Sequence, residues 1–313
     1  MASDPTEKRA ILYGMAAVAL WSTVATAFNL SLEFVSPLVL VTIASATSWL
    51  FLAAILVMTG EFGALFQIPS RELLRLVLLG LVNPALYYFL LFGAYARLPA
   101  QEAMAINYSW GLVLPLLAVP LLGQALRARD VYAALVSYAG VFVIATRGDV
   151  LGFRLSDPIG VALALASTLL WALYWIGNAR VRTPPVQGLF LGFTAATLLL
   201  ASLCVTRGLL ADLPWQGLAG GLYVGLFEMG LAFIFWLKAM RLTKNTARIS
   251  TLIFLSPPLS LVLIWSILGE TILTSTLVGL TLILGGLALQ HAGRTRSPQS
   301  DASDTALSSA NTD

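Results

Sequence analysis

Ten times along this chain about twenty apolar residues follow one another with hardly a charge among them. A run of that length is what an α-helix needs to cross a hydrocarbon core of about 30 Å. The expected spans are 10–29, 37–58, 74–95, 101–122, 130–146, 157–178, 186–206, 216–238, 247–268 and 275–292. Pro37, Pro69, Pro99, Pro158, Pro184, Pro185 and Pro214 fall in the short connections or in first turns, where a missing N–H does no harm. The composition agrees: 58% of residues are hydrophobic and 11% charged, against about 45–50% and about 25% in soluble domains. An ordinary soluble protein is excluded, and the expected fold class is an all-α integral membrane protein of ten transmembrane helices.

The placement of Lys and Arg orients the bundle, because these residues stay on the cytoplasmic side. Fourteen of the eighteen occupy one face: Lys8, Arg9, Arg71, Arg75, Arg127, Arg129, Arg180, Arg182, Lys238, Arg241, Lys244, Arg248, Arg294 and Arg296. Arg97, Arg147, Arg154 and Arg207 occupy the other. Both termini are therefore expected in the cytoplasm, with residues 1–9 as a short N-terminal segment and 297–313 (SPQSDASDTALSSANTD) as a disordered tail. Lys8, Arg9 and the A-x-A of Ala25 to Ala27 resemble a secretory signal, but cleavage there would break the repeat described next, so the first span is kept. The basic residues form no single patch, so nucleic acid is not an expected partner. With Cys204 and His291 the only cysteine and histidine, neither a disulfide nor a Cys/His metal cluster is available, and no cofactor is expected.

The two halves of the chain echo one another. Trp21 falls on Trp171; Gly80, Asn83 and Ala94 fall on Gly225, Glu228 and Ala239; Gly123-Gln124 and Ala139-Gly140 fall on Gly269-Glu270 and Gly285-Gly286. The domains read from this are 10–146 and 157–292, of five helices each. Five is odd, so the second copy enters the membrane from the opposite side. Inverted repeats are the architecture of secondary transporters, with the substrate held near the midplane between the halves.

At a rise of 1.5 Å per residue, a residue ten positions into a span lies near the bilayer centre. Trp21, Ser22 and Thr23 lie there, as do Asn83, Pro84, Tyr87 and Tyr88, and Asn107, Tyr108, Ser109 and Trp110. The second half adds Ser167, Thr168, Trp171, Tyr174, Trp175, Glu228, Ser256, Pro257 and Pro258. Helices 1, 3, 4, 6, 8 and 9 are thus expected to line a cavity while the others face lipid or brace the bundle. Deep Tyr and Trp need partners for their O–H and N–H groups, and an amide such as that of Asn107 is costly at this depth unless bonded. Two roles are open to Glu228: a protonated carboxyl bonded to a neighbouring helix, or a group that couples protons or holds a substrate amine. Glu102, at the outer end of its span, is expected to be solvated. Tyr13, Tyr95, Tyr132 and Trp215 read as interfacial aromatics. Pro84, Pro115, Pro120, Pro257 and Pro258 are expected to bend helices 3, 4 and 9, the Pro257–Pro258 pair toward the cavity. The glycines of helix 8 predict close packing, and those at 140, 285 and 286 predict that helices 5 and 10 pack on each other.

Four stretches carry a resemblance: ALWST from Ala19 to Thr23, NYSW from Asn107 to Trp110, LLWALYW from Leu169 to Trp175, and PPLSLVLIWSILGE from Pro257 to Glu270. The sequence resembles the EamA-type branch of the drug/metabolite transporter superfamily, and within it the YddG-type aromatic amino acid exporters. The resemblance covers nearly the whole membrane region. It implies a ten-helix, five-plus-five inverted fold in a bacterial inner membrane, with a central cavity between helices 1, 3, 4, 6, 8 and 9. As site residues it implies Trp21, Asn107, Tyr108, Trp110 and Trp171; Tyr87, Tyr88, Trp175 and Glu228 rest on depth.

The function expected is secondary transport of Trp, Phe or Tyr outward, with other hydrophobic metabolites, by rocking of the two halves about the cavity. The partners are a small-molecule substrate and the bilayer, and the expected state is a monomer. A broad-specificity exporter or a passive facilitator would share the same lining. Phosphorylated substrates would call for cationic donors at the site, and the Lys and Arg within spans, Arg75, Lys238 and Arg248, stand only at their ends. An intramembrane hydrolase would need paired aspartates, a Ser with a base, or HExxH, and the chain offers none of these.

Overall fold

The structure is a computed structural model, and it describes residues 5–110, 113, 116, 117, 120, 121, 128–152, 155–178, 180–243, 249 and 252–294. Pro115, Gly123, Gln124, Arg127, Arg154, Lys244, Arg248 and the tail 297–313 lie outside the described residues. Among those described, the regular structure is all helix. The helices are α1 (Pro5–Leu32), α2 (Pro37–Met58), α3 (Ser70–Tyr95), α4 (Ala100–Asn107), α5 (Ala128–Ala145), α6 (Pro158–Asn178), α7 (Pro185–Thr206), α8 (Trp215–Ala239), α9 (Ser256–Leu268) and α10 (Thr274–Arg294). Six of them, α1, α2, α3, α6, α7 and α8, are long and apolar enough to cross a membrane. Shorter apolar stretches lie in α5, α9 and α10. The outward surface matches that solvent: Leu50, Leu135, Leu198, Val262 and Trp265 are all exposed, a liability in water that lipid removes.

Helix ends follow local chemistry. Ser36 accepts from the Val39 N–H at the start of α2, and Pro37 opens the first turn with its φ already set. Asp157 does the same for α6, its Oδ1 accepting from the Gly160 N–H at 2.8 Å. That N–H and the Arg97 guanidinium hold the Asp157 carboxyl below the usual carboxylate range. At the end of α9, Gly269 takes φ +67°, the left-handed conformation that glycine adopts without penalty. The chain then turns so that Glu270 reaches α4. Its carboxylate accepts from the Ala100 N–H at 2.8 Å and from the side-chain amide of Gln101 at 3.2 Å, supplying acceptors to the unpaired donors at a helix start.

Small residues set how closely the helices approach. Gly80 of α3 lies against the backbone of Gly192 of α7, leaving no room for a side chain. Gly140 of α5 lies against the Gly279 carbonyl of α10, and Gly286 lies against Ser137 and Ala133, so these two helices pack on each other as expected. Gly285, by contrast, meets nothing. The glycines of α8 meet Ser31 and Val35 of the α1 end, and Ile43 and Ala44 of α2.

Several expectations are corrected. Within 247–268 the described residues 252–255 form a 3-10 turn, and the α-helix begins only at Ser256. Pro257 and Pro258 therefore lie in a first turn instead of bending a continuous helix; Pro257 is buried, whereas Pro258 is exposed and turned away from the core. Tyr95 is no interfacial ring: it is 5% exposed and packs edge-on against Phe28. Glu102 is not solvated. Its side chain has no exposed surface and pairs with Arg147 Nε at 2.6 Å while accepting from the Ser156 hydroxyl at 2.7 Å.

Candidate functional site

The middle of α3 is broken. Asn83 leaves the helical region, with φ −144° and ψ 118°, and the Asn83–Pro84 peptide is cis. The turns from Leu81 to Leu86 are π-helical, as are Val224–Ala232 of α8. Pro84 supplies no N–H and accounts for the break in the hydrogen-bond ladder. With Ile264–Leu268 at the end of α9, π-helical turns occur on α3, α8 and α9, a geometry frequent at functional sites.

Trp171 of α6 is the hub of an aromatic cluster. Its ring lies 4.5 Å from Tyr87, 5.9 Å from Trp175, 6.0 Å from Tyr174, 6.0 Å from Phe233 and 6.2 Å from Trp110, centroid to centroid. Positions 171, 174 and 175 share a face because they are three and four residues apart. Phe233 carries the cluster to Trp21, at 6.0 Å, and Trp21 packs in turn on Trp236 of α8. The structure thereby brings together Trp21, Tyr87, Trp110, Trp171 and Trp175. Tyr88 stands beside Tyr87 but turns to the other side, where its hydroxyl donates to Glu228 Oε1 at 3.0 Å. The second Glu228 oxygen is buried and without a partner. Tyr108 is half-buried and faces Ser256.

Asn107 is engaged within the bundle. Its amide donates to the Ser167 hydroxyl at 3.0 Å and accepts from the Tyr87 hydroxyl at 3.5 Å, so it fixes the ring that stacks on Trp171. On α9, the Ser260 hydroxyl donates to the Ser22 carbonyl at 2.6 Å, and the hydroxyls of Ser22 and Ser256 meet at 3.4 Å. These bonds tie the turn that holds Pro257 to the ALWST stretch of α1.

A cavity opens between α3, α6, α7 and α8, walled by Asn83, Tyr174, Trp175, Phe193 and Phe233 and continuing toward Thr183. Its described lining carries no charged residue. The expected set of lining helices is corrected twice: α7 joins the wall, while α1, α4 and α9 contribute no described residue to this cavity. Of the expected site rings Trp175 lines it, whereas Trp21, Tyr87, Trp110 and Trp171 pack outside its wall. The deep hydroxyls of α7, Thr194 and Thr197, are engaged by Trp49 and Ser45 of α2 and not by the cavity. The helix joins the wall because Gly188 and Gly192 let its backbone lie close to α3. Phe233, an apolar residue among many, gave no signal in the sequence; Asn83 did, as an amide next to proline within an apolar run. The described residues include no group of three or more His, Cys, Asp or Glu placed to hold a metal ion.

At the two ends of the bundle the polar contacts differ. At the end bearing Arg147, Gln101 donates to Glu270 and to the Thr271 carbonyl, and accepts from the Leu273 N–H and the Thr276 hydroxyl. The Glu102–Arg147 pair lies beside it, and Arg97 bonds Asp157 at 3.2 Å. At the opposite end Glu72 accepts from the backbone N–H of Arg182 at 2.7 Å, and the cavity lies on this side.

A bundle of long apolar helices around an uncharged, ring-lined chamber defines a multi-pass membrane protein of the transporter class. The chain belongs to the EamA-like transporter family, which it matches over residues 8–146 and again over 158–290. It is similar to the aromatic amino acid exporter YddG of Ancylobacter novellus, 27% identical over 90% of this chain and 96% of that protein. It is also similar to protein PecM of Dickeya dadantii, 26% identical over 71% of this chain and 74% of that one. An uncharacterized transporter of Bacillus subtilis, YvbV, is 25% identical over 67% of this chain and 68% of its own length. A solved crystal structure superposes with a TM-score of 0.62 at 26% identity, covering 92% of this chain and 99% of that one.

Proposed function

We propose that this protein is a secondary transporter that exports tryptophan, phenylalanine and tyrosine, together with other hydrophobic metabolites, across a bacterial inner membrane by alternating access. The observation that carries this reading is the cluster of rings about Trp171 at the break in α3, next to a chamber without charge. An aromatic side chain entering such a chamber exchanges water for ring faces in offset and edge-on contact, each pair contributing about 0.5–1.5 kcal/mol beyond the area buried. The exporter named for aromatic amino acids among the relatives supports the substrate class. The absence of Lys and Arg from the described lining argues against phosphorylated ligands.

The arrangement we propose around this site has ten spans as two five-helix halves of opposite orientation, with both termini in the cytoplasm. Two separate family matches support a duplication, and the bias of Lys and Arg to one face supports the orientation. Trp171, Trp175, Tyr87 and Trp110 stack on the substrate ring, Trp21 and Tyr108 close the chamber toward α9, and Asn107 holds Tyr87 in place. Pro84 and Pro257 mark the breaks about which helices rearrange, with Pro258 in the same turn. Glu228 and Tyr88 form a buried polar pair beside the rings, and in this reading Glu228 takes up a proton.

Counterflow tests this. Purified protein in liposomes preloaded with tryptophan is expected to accumulate labelled tryptophan saturably, and Trp171→Ala or Asn107→Ala is expected to cut the rate about tenfold, roughly 1.4 kcal/mol. A passive channel would give flux without exchange. Undiminished counterflow in both variants would remove the site, and the lack of any saturable exchange would remove the transporter reading.

A further inference from the structure

Two residues in the wall of the cavity each carry a buried polar atom with no partner. They are Oδ1 of Asn83, in a side chain 4% exposed, and Nε1 of Trp175. The first can only accept a hydrogen bond and the second can only donate one. The backbone break in α3 fixes where Asn83 stands, in the same wall as Tyr174. Asn107, the amide that the sequence singles out, is by contrast engaged with Ser167 and Tyr87. Buried groups left unpaired are rare in folded proteins, and in the wall of a cavity a ligand is one partner that can satisfy them. A lone acceptor and a lone donor in one chamber ask for a ligand that brings an N–H and an oxygen together.

We propose that Asn83 and Trp175 read the head group of the transported molecule: Asn83 Oδ1 accepts from its ammonium group, and Trp175 Nε1–H donates to its carboxylate. This rests on the transporter reading above and narrows its substrate to zwitterions bearing a ring. The charge balance agrees, since a zwitterion has no net charge and the described lining has none either. An aromatic molecule lacking the ammonium leaves the Asn83 oxygen buried and unpaired, and one lacking the carboxylate does the same to the Trp175 N–H. A site built for hydrogen bonds discriminates strongly because that penalty falls on the wrong ligand. The ring cluster alone would accept all of them equally.

The test is competition against labelled tryptophan counterflow in liposomes by four probes: tryptophan, tryptamine, indole-3-propionate and indole. For the wild type, tryptophan is expected to compete best and indole least. Asn83→Ala is expected to lower the potency of tryptamine relative to indole-3-propionate about tenfold, and Trp175→Phe to raise the same ratio about tenfold. Asn83→Asp, which places a charge opposite the ammonium, shifts the ratio toward tryptamine and serves if Asn83→Ala does not fold. Ratios between ligands on one protein sample are independent of how much of it is active. Ratios unchanged in all three variants, with wild-type exchange intact, would overturn the assignment while leaving the transporter reading in place. Wild-type vesicles that exchange none of the probes would overturn both.

Discussion

A carboxylate with no exposed surface lies within reach of the bundle's end, and its partner is half in solvent. Glu102 is wholly buried and Arg147 is 50% exposed. The asymmetry decides which partner matters more. Removing Glu102 leaves an arginine that can turn to water, and it forfeits charge-assisted bonds worth about 1.5–3 kcal/mol before screening at the exposed side reduces them. Removing Arg147 leaves a buried carboxylate with only the Ser156 hydroxyl, the situation in which an unpaired charge is most costly. Arg147→Ala is therefore expected to lower the melting temperature in detergent more than Glu102→Ala does, although the arginine is the more exposed of the two. Arg147 has φ +51°, and alanine there carries the same backbone strain, so the comparison isolates the side chain. The reverse order of melting temperatures would show that the pair is not what holds this end. Nothing in the sequence pointed to this partnership. The two residues are far apart along the chain, each lies at the edge of an apolar run, and the depth argument that located Asn107 and Glu228 applies only to residues well inside a span.

At the scale of whole helices, legibility depended on what a residue does to the backbone. Pro84 announces the break in α3 because proline removes a donor inside a helix, whereas Pro257 and Pro258 stand in the first turn of α9, where the missing N–H costs nothing. The glycines of α5 and α10 announce close packing because a missing side chain is the only way two backbones meet. What could not be read is which glycine of a pair faces the partner: Gly286 lies against Ser137 and Ala133, while Gly285, one residue earlier, points to open space. Adjacent positions on a helix differ by about 100° in direction. The role of α7 was hidden for a related reason, since it lines the cavity with glycine and apolar residues that look the same facing lipid. Neighbouring substitutions test the α5–α10 contact. Gly140→Leu and Gly286→Leu drive a side chain into the facing helix and are expected to destabilise by about 1–3 kcal/mol or more. Gly285→Ala fills empty space in a helix interior and is expected to be neutral or to stabilise by up to about 1 kcal/mol. Thermal unfolding of the three variants in one detergent gives the answer, and equal melting temperatures for the two adjacent positions would mean that the pair of helices is not packed this way.

Over the whole molecule, the two ends are held unequally, and that inequality carries a conformational expectation. The end bearing Arg147 is closed by Gln101, which makes four hydrogen bonds to Glu270, Thr271, Leu273 and Thr276, while the cavity lies toward the end bearing Arg182. If the protein alternates between states open to either side, Gln101 stabilises the one seen here and has no such partners once the α9–α10 connection moves away from α4. Each lost bond is worth about 1 kcal/mol, so losing even part of the set shifts the balance between states tenfold or more. A cysteine at the cavity reports the shift. In a Cys204→Ser background, Asn83→Cys in oriented vesicles is expected to react with a membrane-impermeant thiol reagent faster from the Arg182 side. Adding Gln101→Ala is expected to slow that reaction and to speed the one from the Arg147 side, with the ratio changing about tenfold. The same reagent fixes the orientation: Lys8→Cys and Ser297→Cys, each alone, are expected to react from the Arg182 side. Labelling of those two positions from opposite sides would leave an odd number of crossings between them and end the paired-half arrangement. Unchanged reactivity of Asn83→Cys from both sides would show that Gln101 holds the helices together without favouring either state.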